Sequence, residues 1–235
     1  MSKHISINGS QVFLQQQGEK AAFLPKGVYI LQEDLTLERV ADALPGVVNL
    51  YSNHETLINR VQQIYQKTQV NIGVLLYGEK GTGKTVLAHR LINAISAPTI
   101  IVKAYSGYFD LIRNLPTKEL SLLIDDYVGD DELEALIDTG INGRLFTFIT
   151  ARSARPQFLA RPGRIRYIQE MEALLMEEAV KIIDYQMNDE DLRDDLIETI
   201  MDHVEVLTID KLMCLITEVN ALKKPASSLI QYMNL

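Results

Sequence analysis

Residues 78–85 read Gly78-Glu79-Lys80-Gly81-Thr82-Gly83-Lys84-Thr85, and this stretch decides the fold. It satisfies the pattern G-x-x-x-x-G-K-[ST], in which the backbone N–H groups of a glycine-rich loop surround phosphate oxygens. An apolar run of strand type precedes it at 73–77, and apolar residues at helical spacing follow it at 86–96. The motif requires this order, because the strand delivers the loop and the helix N-terminus presents a positive dipole to the anion. The sequence therefore predicts a nucleotide-phosphate site.

The positions within this loop have distinct expected roles. Three glycines, Gly78, Gly81 and Gly83, permit close backbone approach and dihedral angles that other residues disfavour. Lys84 is expected to neutralise the β- and γ-phosphates, and the Thr85 hydroxyl is expected to bind Mg²⁺. The other predicted nucleotide contacts are Glu79, Lys80, Thr82 and Val86.

Length and composition limit the class of protein. The 235 residues, 47% of them hydrophobic, suffice for one α/β domain and a smaller unit. No apolar run approaches the roughly 20 residues of a membrane helix, and the N-terminus lacks the apolar segment of a signal peptide. We therefore expect a cytoplasmic protein with no membrane partner. The single cysteine, Cys214, excludes an internal disulfide and is expected to be a buried core thiol.

The charged residues are segregated along the chain. A net charge of −8 argues against direct binding to nucleic acid. Six arginines and no acids occur between residues 139 and 169, whereas acids dominate from 170 to 205. Two complementary surfaces of this kind would permit a head-to-tail interface between subunits, and ordinary solvated helix faces are the alternative. The six arginines are Arg144, Arg152, Arg155, Arg161, Arg164 and Arg166.

Hydrophobic periodicity predicts a chain of three parts. Residues 1–45 form a β-rich N-terminal segment with a short helix expected at 36–44. Residues 46–167 alternate between strand-like and helical patterns, which favours a mainly parallel sheet. Residues 168–235 contain no glycine and show helical spacing in three runs, so they are predicted to form a helical domain. The predicted fold class is α/β, a P-loop NTPase core with a mainly parallel sheet followed by a small C-terminal helical domain; a helical lid at this position is what resemblance to a known family implies.

An apolar strand ends in two acids at Asp125 and Asp126. The carboxyl ends of parallel strands meet at one edge of a sheet, so both acids should lie beside the phosphate loop. Asp125 is expected to hold Mg²⁺ through water, and Asp126 is expected to orient the attacking water. Aspartate is one methylene shorter than the glutamate usual at that position, so slow hydrolysis is expected. Glu132 is an alternative for the role of Asp126, and a solvated strand end is the alternative for both acids.

The order of these motifs resembles that of the AAA family of P-loop ATPases over residues 46–235. Residues 73–85 are similar to the first motif of the family and its preceding strand, and 208–221 resemble its lid helix. The most specific part is Leu159-Ala160-Arg161-Pro162-Gly163-Arg164-Ile165. This element resembles the segment that follows the family's sensor strand, and it distinguishes AAA proteins from P-loop kinases and GTPases. The compact build is similar to that of small AAA ATPases of bacteria and their viruses.

The resemblance implies further residues and partners. Arg161 and Arg164 match the arginine fingers that reach the γ-phosphate held by a neighbouring subunit, with surface salt bridges as the alternative. Thr150 matches the polar sensor that positions the attacking water, and Ser153 is its alternative. The family also implies ATP and Mg²⁺ as cofactors, and a ring or helical oligomer, for example a hexamer. A pore loop that grips a protein partner would fall at Tyr105, Tyr108 or Phe109, although an aromatic side chain on a short helix more often packs in the core.

Two functions are consistent with this pattern. The first is Mg-dependent ATP binding and hydrolysis by an assembled AAA-type ATPase that remodels a macromolecular partner, an unknown protein. The alternative is a slow ATP-gated switch or loader that captures a partner when ATP-bound; Asp126 and the short stretch between 102 and 120 favour it. A P-loop small-molecule kinase fits less well, because the helical C-terminal domain is not a mobile acceptor-site lid.

Overall fold

The computed structural model describes residues 5–8, 11–14, 19–32, 34, 36–46, 54–102, 109–129, 131–160 and 162–233. Contacts divide the chain into two compact units, which are described separately. The first comprises Met1–Val48, His54–Tyr77 and Thr85–Glu170, and the second comprises Asn49–Asn53, Gly78–Lys84 and Met171–Leu235.

The first unit contains the strands and the helices between them. Its N-terminal strands are β1 (Ile5–Asn8), β2 (Gln11–Leu14), β3 (Glu19–Ala21), β4 (Val28–Leu31) and β5 (Leu37–Ala41). The elements that follow are α1 (Glu55–Lys67), β6 (Ile72–Tyr77), α2 (Lys84–Ile95), β7 (Thr99–Val102), α3 (Phe109–Asn114), β8 (Glu119–Ile124), α4 (Asp131–Thr139), β9 (Arg144–Ala151), α5 (Pro156–Leu159) and β10 (Tyr167–Glu170).

The ten strands of the described residues form one sheet, in the order β10-β6-β9-β8-β7-β4-β5-β2-β1-β3. The pairs from β10 to β4 are parallel, and those from β4 to β3 are antiparallel. Strands β6, β8 and β9 are buried along almost their whole length, and their apolar runs suit parallel strands covered on both faces. The predicted α/β fold with a mainly parallel sheet is therefore confirmed.

The helix predicted at 36–44 is wrong, because β5 occupies this stretch. The Asp34 carboxylate accepts hydrogen bonds from the N–H and hydroxyl of Thr36, at 3.0 and 2.7 Å, and this arrangement fixes a turn. Strand β5 then pairs antiparallel with β4, with Leu37 opposite Leu31. Leu37 is 1% exposed. The burial of Leu37 and the hydrogen bonds between β4 and β5 stabilise the strand more than the helical spacing of apolar residues could stabilise a short helix.

The second unit contains α6 (Met176–Gln186), α7 (Glu190–His203), α8 (Ile209–Leu222) and α9 (Ala226–Leu229). The helical C-terminal region is therefore confirmed. Side chains cap two of the helices: Asp189 accepts from the N–H of Leu192 at the start of α7, and Thr208 accepts from the N–H of Lys211 at the start of α8. No helix of the described residues combines the length and apolarity needed to cross a bilayer.

The prediction of a buried thiol at Cys214 is wrong, because this residue is exposed. The buried face of α8 consists of Leu212, Leu215, Ile216 and Val219. A helix advances by about 100° per residue, so position 214 faces away from this stripe. The apolar neighbours of Cys214 in sequence are thus not its neighbours in the core.

Arg144 is used by the fold itself, at the start of β9. One terminal nitrogen of its guanidinium donates to the carbonyls of Tyr65 and Thr68, both at 3.0 Å, and the other lies 2.6 Å from the Glu119 carboxylate. The guanidinium also covers the Tyr65 ring at 4.6 Å from its centroid. This arginine therefore fastens the end of α1 to the first residues of β8 and β9.

We expect Arg144→Met to lower the free energy of unfolding by about 2–4 kcal/mol, because Glu119 and two carbonyls lose their donor in a partly buried place. Urea denaturation measures this change. Arg152→Met is the matched control: Arg152 is exposed and has no ion pair within the described residues, so its change should stay within about 0.5 kcal/mol. Equal effects of the two substitutions would contradict the assignment.

Candidate nucleotide-phosphate site

The loop Gly78–Lys84 belongs to the second unit and adopts the backbone that its glycines permit. Gly78, Gly81 and Gly83 have φ angles of 136°, 83° and 90°, a region that side chains disfavour. At Gly78 a Cβ atom would lie 2.2 Å from the carbonyl oxygen of Met171. Gly78 is therefore required by packing within its own unit as well as by the loop conformation.

Lys84 is held inside the loop. Its side chain is buried, at 7% exposure, and its ammonium donates to the carbonyls of Gly78 at 2.8 Å and Glu79 at 2.5 Å. The buried Thr82 hydroxyl also donates to the Glu79 carbonyl, at 2.9 Å. The side chains of Glu79 and Lys80 are exposed. The loop thus carries a desolvated cation that donates to two neutral carbonyls, and an anionic phosphate accepts a stronger hydrogen bond than a carbonyl does.

The first turn of α8 lies against the same loop. The N–H of Asp210 donates to the carbonyl of Gly81 at 3.1 Å. A Cβ atom at Gly81 would lie 2.9 Å from the Thr208 hydroxyl oxygen and 3.0 Å from the Cβ of Asp210. Any side chain at position 81 would therefore displace the start of the helix that resembles the family's lid helix.

In the first unit, Thr85, Asp125 and Thr150 form a hydrogen-bonded cluster. The hydroxyls of Thr85 and Thr150 both donate to one carboxylate oxygen of Asp125, at 2.9 and 2.5 Å. The Thr150 hydroxyl in turn accepts the backbone N–H of Asp126 at 2.9 Å. Thr150 is fully buried, so its hydroxyl has a fixed orientation between the two acids.

The parallel strands bring these residues together. Ile124, the last residue of β8, pairs with Ile149 of β9, so Asp125 and Thr150 leave adjacent strands side by side. Thr85 reaches the same place because it lies in the first turn of α2. Within the first unit, Thr85, Asp125 and Thr150 therefore meet where the carboxyl ends of β8 and β9 lie beside the start of α2.

The oxygen atoms of this cluster suit Mg²⁺. Its hydroxyl and carboxylate oxygens are hard ligands, the kind that Mg²⁺ prefers, and this ion commonly uses one or two protein groups with phosphates and water. No group of three or more His, Cys, Asp or Glu side chains that could hold a metal occurs in the part of the chain that the structure describes. Thr85 and Asp125 are therefore the residues here that fit the ion.

The other predicted site residues have separate outcomes. Arg161, Tyr105 and Tyr108 lie outside the described residues, and so does the side chain of Glu132. Ser153 is exposed beyond the end of β9, and Phe109 is a buried residue at the start of α3, at 5% exposure. Val86 is half-buried in the first turn of α2.

The Arg164 backbone lies near the N-terminal end of β6, whereas the cluster lies at the carboxyl ends of β8 and β9. A Cβ atom on Gly73 would lie 2.2 Å from the Arg164 carbonyl oxygen, and Arg166 donates its N–H to the Gly73 carbonyl. Gly73 is the second residue of β6, whereas Asp125 directly follows β8 and Thr150 is the last residue but one of β9. Arg164 is exposed.

The sequence patterns did not reveal His89, which follows Thr85 by one turn of α2. Burial lowers the pKa of His89, while the Asp125 carboxylate and a hydrogen bond with the Pro45 carbonyl oppose that shift. The spacing of four residues on a helix was the available signal, because it places both side chains on one face. Tyr127 and Arg155 were also missed, since their contacts join segments that are distant in sequence.

The comparisons with known proteins agree with this architecture. Residues 74–139 match the family described as ATPase family associated with various cellular activities (AAA). No curated protein matches the chain. A point mutant of Thermotoga maritima RuvB aligns with a TM-score of 0.55 and 18% identity, over 71% of this chain and 61% of that one.

Two further RuvB structures from the same organism give similar results. The one described as a Holliday junction branch migration motor has a TM-score of 0.54 and 18% identity, over 72% of this chain and 61% of that one. Another point mutant has a TM-score of 0.56 and 14% identity, over 77% and 70%. The chain thus spans less than two thirds of the first two RuvB structures. At these identities the likeness establishes the fold.

Proposed function

We propose that this chain, whose residues 74–139 match the AAA family of ATPases, binds Mg-ATP through residues 78–86 and hydrolyses it as an assembly of like subunits. The observation that carries the proposal is the cluster of Thr85, Asp125 and Thr150, in which two hydroxyls converge on one carboxylate oxygen. The cluster begins at the residue directly after Lys84. A metal-binding carboxylate and a phosphate-binding lysine are the two parts that phosphoryl transfer requires in P-loop enzymes.

The residues divide the work of hydrolysis as follows. The loop N–H groups and Lys84 bind the β- and γ-phosphates and lower the repulsion that an incoming nucleophile meets. Thr85 and Asp125 hold Mg²⁺, which supplies neutralising charge on the phosphate oxygens. Thr150 fixes the Asp125 carboxylate and the N–H of Asp126 through one hydroxyl. Asp126, whose carboxylate is exposed, orients the attacking water.

Arg164 fits a role at the site of a second subunit. Gly73 lies three residues below Thr150 in register and two strands from β8, so about 14 Å separates its backbone from that of Asp125. The Arg164 backbone, which lies against Gly73, is thus at the other end of the strands from Asp125. An exposed arginine so placed fits a finger that acts on ATP held by a neighbour, in a head-to-tail assembly such as a ring or helix.

The charges of the two units suit the same assembly. Exposed arginines at 152, 164 and 166 have no ion pair with any residue that the structure describes. Helix α7 carries exposed acids, Glu190, Asp191, Asp194, Glu198 and Asp202. Opposite charges on two surfaces of one subunit favour contact between different copies. The net charge of −8 also disfavours DNA as the partner, so we propose a protein partner that is remodelled or captured.

The test is ATP hydrolysis per subunit against protein concentration, with the mass of the assembly recorded in ATP. We expect the specific activity to rise with concentration, because each site needs a neighbour. Specific activity that is independent of concentration would contradict the shared site. ATP binding with negligible turnover at every concentration would favour the alternative function, a slow ATP-gated switch or loader, and the cytoplasmic partner captured in the ATP state would then be sought.

A further inference from the structure

Asp126 has a backbone conformation that its neighbours must maintain. Its φ angle is 51°, in the left-handed region. Aspartate tolerates this region better than most residues, yet the conformation still costs on the order of 1 kcal/mol. A residue at the end of a strand stays in this state only where the chain is fixed on both sides.

The side that precedes Asp126 is fixed by Thr150. The hydroxyl of Thr150 joins the Asp125 carboxylate to the Asp126 N–H, and the Thr150 carbonyl accepts the N–H of Tyr127 at 2.8 Å. These three bonds continue the pairing of β8 with β9 beyond the last ladder residue. They leave the path of the chain after Tyr127 undetermined.

The side that follows Asp126 is fixed by the Tyr127 ring. The residue is buried, at 8% exposure, and its hydroxyl donates to the Glu134 carboxylate at 3.1 Å. The ring packs against Phe158 at a centroid distance of 5.3 Å. The guanidinium of Arg155 covers the ring at 5.5 Å from its centroid. Aromatic and cation–π contacts of this kind each contribute about 0.5–1.5 kcal/mol.

Arg155 also closes the loop at its far end. Its guanidinium lies where a side chain on Gly129 would begin, 2.2 Å from the position of a Cβ atom. Gly129 has a φ angle of 123°, which admits glycine and little else. One guanidinium therefore contacts the loop at two places, the ring of Tyr127 and the backbone of Gly129.

We propose that Tyr127 and Arg155 are positioning residues that hold the Asp126 carboxylate where it can orient the attacking water. The inference rests on the proposed ATPase function and assigns to that same site two residues outside its motifs. The side chain of aspartate is one methylene shorter than that of glutamate, so the backbone of Asp126 must be positioned more accurately. A displacement of about 1 Å at such a group lowers the rate roughly 100-fold.

The test compares kcat, KM for ATP and ATP affinity in the full chain with Arg155→Ala, Arg155→Lys and Tyr127→Phe. We expect Arg155→Ala to lower kcat about 10- to 100-fold, with KM and affinity changed less than about twofold because the phosphate loop is untouched. Arg155→Lys, which keeps the charge but not the planar guanidinium, should give an intermediate kcat. Tyr127→Phe, which keeps the ring, should retain most of kcat. Arg60→Ala, at an exposed arginine of α1, is the matched control.

A double-mutant cycle with Asp126→Asn tests whether Arg155→Ala lowers kcat through Asp126. If Arg155 acts through Asp126, then Arg155→Ala lowers kcat in the wild type and has little further effect in Asp126→Asn. Equal factors in both backgrounds would overturn the inference, and so would a parallel loss of affinity and thermal stability. Wild-type hydrolysis that Arg155→Ala leaves unchanged overturns this inference alone. Absence of wild-type hydrolysis in every assembly state overturns the proposed function and this inference with it.

Discussion

Lys84→Ala is expected to weaken ATP binding by about 100-fold or more and to abolish measurable hydrolysis. The reason lies in the environment of the ammonium group. It is buried at 7% exposure and bonded to two loop carbonyls, so the protein has already removed most of its water. A phosphate that enters the loop gains a charge-assisted hydrogen bond from the ammonium group, and little further water has to be removed from that group.

The binding measurement should be made with a fluorescent ATP analogue, in parallel with hydrolysis. Lys181→Ala is the matched control, because it removes a lysine of the same charge from an exposed position on α6. We expect its affinity to stay within about twofold of the wild type. Lys84→Ala with unchanged affinity would show that ATP does not occupy this loop, and circular dichroism would separate that result from misfolding.

Arg164→Ala is expected to lower hydrolysis about 1,000-fold while ATP affinity is retained, the magnitude typical of an arginine finger. The Arg164 backbone lies near the start of β6, at the other end of the strands from Asp125, so we expect the effect to arise at a second subunit. Full activity in Arg164→Ala would contradict this role and leave Arg161 as the candidate finger. Loss of ATP binding would instead mean that the residue serves its own subunit.

Mixing two inactive variants tests the contribution of a neighbour directly. Asp125→Asn removes the carboxylate proposed to bind Mg²⁺ and leaves Arg164 intact, whereas Arg164→Ala does the reverse. In a random mixed assembly about one interface in four then combines an intact Asp125 with an intact Arg164. We expect activity to reappear on mixing, although neither variant is active alone. No recovery in assemblies shown to contain both variants would contradict a shared site.

Patterns local in sequence predicted the parts of the structure that local chemistry determines. The phosphate loop follows from its glycines and lysine, and the meeting of Thr85, Asp125 and Thr150 follows from the rule that parallel strands end at one edge. The helix expected at 36–44 failed because β4, a partner outside the stretch, supplied a stronger set of bonds. Cys214 failed because adjacent residues on a helix occupy different faces.

Sequence patterns could not predict the contacts of Tyr127, Gly129 and Arg155 around Asp126, because Arg155 is distant in sequence from the other two. Tyr127 and Arg155 are separated by the whole of α4 and β9, and each residue alone resembles an ordinary loop residue. Only the turn at Gly129, with its positive φ, makes room for the guanidinium. A glycine shortly after a metal-binding strand was a weak signal, and no spacing rule relates it to an arginine on another segment.

The parallel pairing of β4 with β7 affects how the chain is made. Strand β4 ends at Leu31, yet its partner begins at Thr99. A ribosome that adds about 5–20 residues per second leaves this edge of β4 unpaired for several seconds. Unpaired edges are the places where nascent chains associate with one another. This edge of β4 therefore needs protection during translation, and slow codons placed before β7 would lengthen its exposure.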